Sequence, residues 1–249
     1  MSETTRGRVR VEDGLKRVRL YLDGALVADT LRPVLVWEGP SYPAYYIPAA
    51  DVRADLKPTG EIERSPSRGD GQVHDVRVDG HTAAGAARTT PDSPLEDLRD
   101  LVRFDFAAFD WFEEDEPIYV HPRSPYTRVD VLGSSRHVRV EVDGVTIAES
   151  HQPRILFETG LPARYYLPIT DFRQELFEPS DTETHCPYKG TAGYWSVRVG
   201  DTLHKDLVWI YRAPFPESQK IAGLAAVYNE KADIYLDGVL QERPRTKFS

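Results

Sequence analysis

Apolar and polar residues alternate with a period of two along much of this chain. Val18-Arg19-Leu20-Tyr21-Leu22 alternates, breaks at Asp23-Gly24 and resumes over Ala25 to Asp29. That predicts a β-hairpin, because Asp-Gly supplies the positive φ values of a two-residue primed turn. Val9-Arg10-Val11, Val34 to Glu38, Tyr45 to Pro48 and Val73 to Val78, the last running into a turn at Asp79-Gly80, read as further strands. Lys57 to Gly71, rich in Pro, Gly, Ser and charge, reads as a loop, and Ala83-Ala84-Gly85-Ala86-Ala87 as a poor core strand. Phe104 to Phe112 reads as one aromatic strand, ending in the acid run Glu113 to Glu116. Helices are expected only as short pieces, around 49–56, 93–101, 170–177 and 216–220, the second marked by the capping sequence Ser93-Pro94-Leu95-Glu96.

The chain also repeats itself. Shifted by 120 residues, Val18 to Gly24 falls on Val138 to Gly144, and Tyr45-Tyr46-Ile47-Pro48 on Tyr165-Tyr166-Leu167-Pro168. One further residue of slip sets Gly69 over Gly190 and Val76-Arg77-Val78 over Val197-Arg198-Val199. A period this long predicts two tandem domains, 1–125 and 126–249, joined at His121 to Pro125. The expected fold is mostly β: two tandem antiparallel β-rich domains with a few short helices, packed as an internal pseudo-dimer.

The repeats differ most where chemistry would sit. The second half carries His185-Cys186-Pro187-Tyr188-Lys189-Gly190, and Ser65, Ser67 and Arg68 stand beneath Cys186, Tyr188 and Lys189. A further two-residue slip sets Ala83, Ala86 and Arg88 beneath Asp206, Trp209 and Tyr211. The working pocket is therefore expected in the second half, with a degenerate site and no comparable cavity in the first.

Composition narrows the partners. The net charge is −9 with no lysine- or arginine-dense run, which argues against nucleic acid and anionic membranes and toward a small-molecule ligand. One cysteine allows no internal disulfide, and the absence of a signal-like start or a long apolar run points to a cytoplasmic protein. No cofactor is implied. No metal is expected either: the acid run lacks the glycine-turned spacing of a calcium loop, and His185, Cys186 and His204 are too few and too scattered for zinc.

Together with Tyr194-Trp195-Ser196-Val197, Asp206-Leu207-Val208-Trp209-Ile210-Tyr211, Pro214-Phe215-Pro216-Glu217 and Ile221-Ala222-Gly223, the motif at 185–190 resembles domain of unknown function 427. The first half resembles the same family but departs at Ser65 to Arg68. The second lacks the acid run, having Asn229 to Asp233 there. The resemblance implies a compact, mostly antiparallel β-fold, tent-like or barrel-like with two sheets in each domain. The family also bears a nucleotidyltransferase-like label, yet the chain shows no glycine-rich phosphate loop and no paired Asp-x-Asp on a strand.

Two classes of function fit these residues. An enzyme would use Cys186 as nucleophile or Lys189 as electrostatic anchor, Asp206 and Glu217 as acid–base groups, and Tyr166, Tyr188, Trp209 and Tyr211 as an aromatic wall. A binding module would need only the aromatic cavity and one cation to hold a small anionic or aromatic ligand. Strand alternation puts Asp206 and Trp209 on opposite faces, and His185 opposite Cys186, so a thiol–imidazole pair would need another histidine such as His204.

Overall fold

The computed structural model describes residues 9–246, 248 and 249. The chain divides into two compact units, one up to Ser124 and one from Pro125. The first contains strands β1 (Arg10–Asp13), β2 (Val18–Leu22), β3 (Ala25–Thr30), β4 (Val34–Trp37), β5 (Ala44–Pro48), β6 (Asp55–Glu63), β7 (Gly71–Val78), β8 (His81–Thr89), β9 (Leu101–Phe104), β10 (Asp110–Glu113) and β11 (Glu116–Ile118). The second contains β12 (Val129–Gly133), β13 (Val138–Val142), β14 (Val145–Ser150), β15 (Arg154–Glu158), β16 (Arg164–Pro168), β17 (Phe177–Cys186), β18 (Gly190–Val199), β19 (Thr202–Tyr211), β20 (Leu224–Val227), β21 (Asp233–Leu236) and β22 (Val239–Leu240).

The two units have one topology. A seven-stranded antiparallel sheet, ordered β1-β4-β5-β9-β8-β7-β6 in the first and β12-β15-β16-β20-β19-β18-β17 in the second, accompanies a four-stranded sheet, β11-β10-β2-β3 or β14-β13-β21-β22. The sheets stay open, so the tent-like alternative holds and the barrel does not. Between the sheets lies the main core of each unit. Val18, Leu20 and Leu22 point into one, and Val138, Val140 and Val142 into the other, as their alternation requires. Tyr45 joins the first core, while Tyr46 turns to the outer face of the large sheet, where a second cluster forms. The primed turns form as expected, with Asp and Gly both at positive φ at 23–24, 79–80 and 143–144.

Several elements differ from the sequence reading. Asp55–Glu63 is a strand rather than loop, an edge strand so exposed on both faces that no alternation marks it. The alanine-rich segment is the central strand β8, with Ala86 and Ala87 buried against the main core. The aromatic stretch 104–112 is broken by a 3-10 turn at Phe106–Ala108. The expected helices are single 3-10 turns at Ala49–Asp51, Glu96–Leu98, Ile169–Asp171 and Gln174–Leu176, and a longer one at Pro216–Ile221. The acid run is the β10–β11 hairpin end, with Glu114 at positive φ. Its register equivalent is Leu236 to Val239 rather than Asn229 to Asp233. Among the described residues no helix is long and apolar enough to cross a membrane.

Candidate functional site

Cys186 closes β17 opposite Gly190, the first residue of β18, so Pro187-Tyr188-Lys189 forms a tight turn at the end of that ribbon. The Lys189 N–H donates to the Cys186 carbonyl at 3.3 Å. Gly190 has φ +99°, and a Cβ there would stand 3.4 Å from the Ala213 carbonyl oxygen, so the position favours glycine on both counts. The β19–β20 connection fastens the turn: the Phe215 N–H donates to the Lys189 carbonyl at 3.1 Å, and Ser218 Oγ to the Tyr188 carbonyl at 3.1 Å. Held this way, the Lys189 ammonium reaches across the outer face of the large sheet to Glu158 on β15. Their side chains are only 10% and 8% exposed.

Around this pair stand Tyr166 on β16 and Trp209 and Tyr211 on β19, all buried in one outer-face cluster. Trp209 Nε1 donates to the Tyr166 hydroxyl at 3.1 Å, with the rings edge-on 6.2 Å apart. Burial above all pushes both tyrosine hydroxyls well above their ordinary range. The nearby Glu158 carboxylate adds to it, so both phenols stay neutral and can donate. Tyr166, Cys186, Lys189, Trp209 and Tyr211 therefore come together, with Tyr188 beside them in the turn.

The remaining candidates sit apart. Glu217 lies exposed on the 3-10 turn. Asp206 occupies a β-bulge with φ +50°, where its carboxylate accepts from Ser180 and Thr182 and its N–H donates to Ser196 Oγ at 3.2 Å. Its contacts thus run to β17 and β18 rather than to Lys189. Gly85 has the same place in β8, with φ +57° and its N–H donating to Asp75. Because alanine is strained at positive φ, Asp206→Ala should unfold at lower denaturant than Asp206→Gly, by about 1 kcal/mol. Neither histidine serves the thiol: His185 Nδ1 lies 2.9 Å from Thr191 Oγ1, and His204 Nε2 lies 2.8 Å from Asp143.

Beside the cluster lies a buried network that the sequence reading did not identify. Arg164 donates both terminal nitrogens to Glu230, at 2.6 and 2.7 Å, and one of them also to Asn229 at 3.2 Å. Its guanidinium lies over the rings of Trp209, Tyr228 and Phe248, 5.7–5.8 Å from each centroid. A hydroxyl chain, Thr184 to Tyr194 at 2.8 Å and Tyr194 to Tyr228 at 3.2 Å, completes it. Single charges at distant positions leave no local pattern to read. Glu158 did leave one, since Glu38 stands 120 residues before it.

Strand pairing also fixes how the two units correspond. Val73 pairs with Arg88 as Tyr194 pairs with Trp209, and Gln72 with Thr89 as Gly193 with Ile210. Trp209 therefore corresponds to Arg88, Tyr211 to Thr90 and Asp206 to Gly85. The two-residue slip read from the sequence falls later, between β8 and β9, because an insertion is absorbed in a connection more easily than in a central strand.

With that register, the first unit proves to hold its own version of the site. Arg68 takes the place of Lys189, with Nη1 3.3 Å from Glu38 and 3.1 Å from the Tyr46 hydroxyl, which itself donates to Glu38 at 2.8 Å. Tyr46 and Arg68 border a small cleft whose lining also includes Glu63, Ser65, Gly69, Gly71, Arg88, Thr90 and Arg103. Tyr46, Ser65, Arg68 and Arg88, first-half counterparts of the candidate site residues, thus share one small depression. Arg88 and Arg103 open the face that Trp209 and its aromatic neighbours fill in the other unit.

A family model described as a domain of unknown function, DUF427, matches the chain twice, over residues 10–115 and 130–238. No curated protein matches the chain.

Proposed function

We propose, from the premise that this chain belongs to the DUF427 family through both of its units, that the second unit recognises a small anionic or aromatic molecule at the Cys186–Gly190 turn. One observation carries the reading. A cation, a glutamate and a tyrosine meet on the outer face of the large sheet in both units, as Lys189, Glu158 and Tyr166 and as Arg68, Glu38 and Tyr46. A merely space-filling position would not require a buried charge pair, since apolar residues of similar volume are as stabilising or more so.

An ammonium has three donors, and Glu158 takes one, so Lys189 keeps two for a ligand's anionic group. Trp209, Tyr211 and Tyr166 supply the apolar wall, and Cys186, partly exposed at the strand end, borders it. Glu217 and Asp206 would act only through rearrangement of the loops that hold them. Binding without turnover is the better-supported form, because His185 and His204, the histidines considered for the thiol, are engaged with Thr191 and Asp143 instead.

The test is a thermal-shift screen of carboxylates, nucleotides and aldehydes on the whole chain, followed by titration of any hit against two variants. Lys189→Met should weaken an anionic ligand by roughly 1.5–3 kcal/mol, the range for a charged hydrogen bond. Cys186→Ser should leave affinity and any turnover nearly unchanged. Unchanged affinity in Lys189→Met would refute the site, and turnover lost in Cys186→Ser with binding intact would establish the thiol as a nucleophile.

A further inference from the structure

We infer that the cleft of the first unit is a second, chemically distinct site, which binds a small dianionic oxyanion such as a phosphoryl group or a dicarboxylate. Its lining holds three cations, Arg68, Arg88 and Arg103, against one carboxylate, Glu63, with the hydroxyls of Ser65 and Thr90 beside them. Two further acids, Glu38 and Asp105, stand behind these arginines outside the lining, so the surplus of positive charge is confined to the lining itself. The enclosed space is only about 10 Å³, roughly that of one water, so an occupant must be small and must take the room that the Glu63 side chain now fills.

The guanidinium groups are set in place before any ligand arrives. Glu38 lies 3.3 Å from Arg68 and 2.9 Å from Arg103, and Asp105 lies 3.1 Å from Arg88; neither acid lines the cleft. The three arginine side chains are 15%, 17% and 24% exposed, enough burial to strengthen a charged contact and enough opening to make one. Glu63 marks where the oxyanion goes. Its carboxylate is hydrogen-bonded to Arg88 at 2.9 Å and lies 3.8 Å from Arg68 and 3.9 Å from Arg103, so one oxyanion on this edge strand is already within ion-pair distance of all three cations. An external anion displaces a half-exposed side chain and takes the same fork geometry. The second unit lacks this site: Trp209 and Ala226 stand where Arg88 and Arg103 do.

The plainer alternative is that three arginines merely neutralise three acids. Calorimetric titration of the whole chain with sodium phosphate and with malonate, at fixed ionic strength, decides between them. Glu63→Gln removes the competing carboxylate and should bind at least one of the two anions about tenfold tighter than the parent. Arg88→Trp, which installs the residue of the other unit, should abolish that binding, while Lys189→Met should not alter it. Whichever anion binds more tightly names the ligand class. Phenylglyoxal modification of the unaltered protein, mapped by mass spectrometry, guards against a misfolded variant: the anion should protect Arg68, Arg88 and Arg103 and not the exposed Arg32 and Arg53. No saturable binding in the parent and in Glu63→Gln, unchanged affinity in Glu63→Gln, or protection confined to other arginines would each overturn the inference. Loss of binding in Lys189→Met would instead assign the anion to the second unit.

Discussion

Replacing Arg164 by alanine is expected to destabilise the second unit by about 3–5 kcal/mol, the penalty for leaving a buried charge without its partner. Glu230 would be that charge, with a side chain 0% exposed and its carboxylate held by both terminal nitrogens of Arg164. Denaturant unfolding followed by fluorescence of Trp195 and Trp209 measures the loss. Converting both members, as Arg164→Met with Glu230→Leu, should recover most of it, because the pair's worth over apolar packing is small. Ala44 holds the place of Arg164 in the first unit, which shows that the strand itself does not need the charge.

The pH dependence provides a second check. Burial alone would raise the Glu230 carboxyl, but hydrogen bonds from Arg164 and Thr246 outweigh it and hold the group below its ordinary value of 4.5. A depressed carboxyl stabilises the fold above the unfolded value and loses that contribution as pH falls through the folded one. The parent should therefore weaken on acidification below about 4.5, and the gap between parent and Arg164→Ala should close there. A gap that persists at low pH would place the effect in packing rather than charge.

Trp209→Ala is expected to be comparably severe, at about 3–5 kcal/mol for a large aromatic lost from a packed cluster. The indole donates to Tyr166 and packs against Tyr228, with ring centroids 4.5 Å apart, so its removal leaves a void and an unpaired phenol together. Circular dichroism during urea unfolding reports the loss without relying on the deleted fluorophore. Because the Arg164 guanidinium lies over this ring, the two substitutions should not add. A loss below 1 kcal/mol in Trp209→Ala would mean that the outer-face cluster is loosely packed.

Much of this organisation was legible in the sequence because it depends on local chemistry. Asp-Gly pairs specify primed turns wherever they occur, and a strict period of two specifies a strand with one buried face, as in Val138 to Val142. The Cys186 to Gly190 turn was legible for the same reason: a proline and a glycine in six residues constrain the backbone directly. Edge strand β6 was not, since a strand wetted on both faces carries no alternation. Nor was β8, whose alanines read as empty although they are what the main core packs against. The Arg164–Glu230 pair lay beyond reach because long-range charge pairing has no spacing rule, whereas Glu158 left a trace in its repeat counterpart Glu38. A gap placed before β19 rather than after it misaligned Trp209, and with it hid the arginines of the first unit.

The connection from Ile210 to Leu224 is two residues longer than its counterpart from Thr89 to Leu101. The longer one winds the 3-10 turn Pro216–Ile221, whose Ile221 packs into the aromatic cluster and whose Ser218 holds Tyr188. The added length and the strand substitutions act on the same face: the longer connection lays Ile221 over the cluster that Trp209 fills, while no sheet register changes. A duplicated frame thus lets the outer face of one sheet differ in polarity from that of the other while both keep the same strand order.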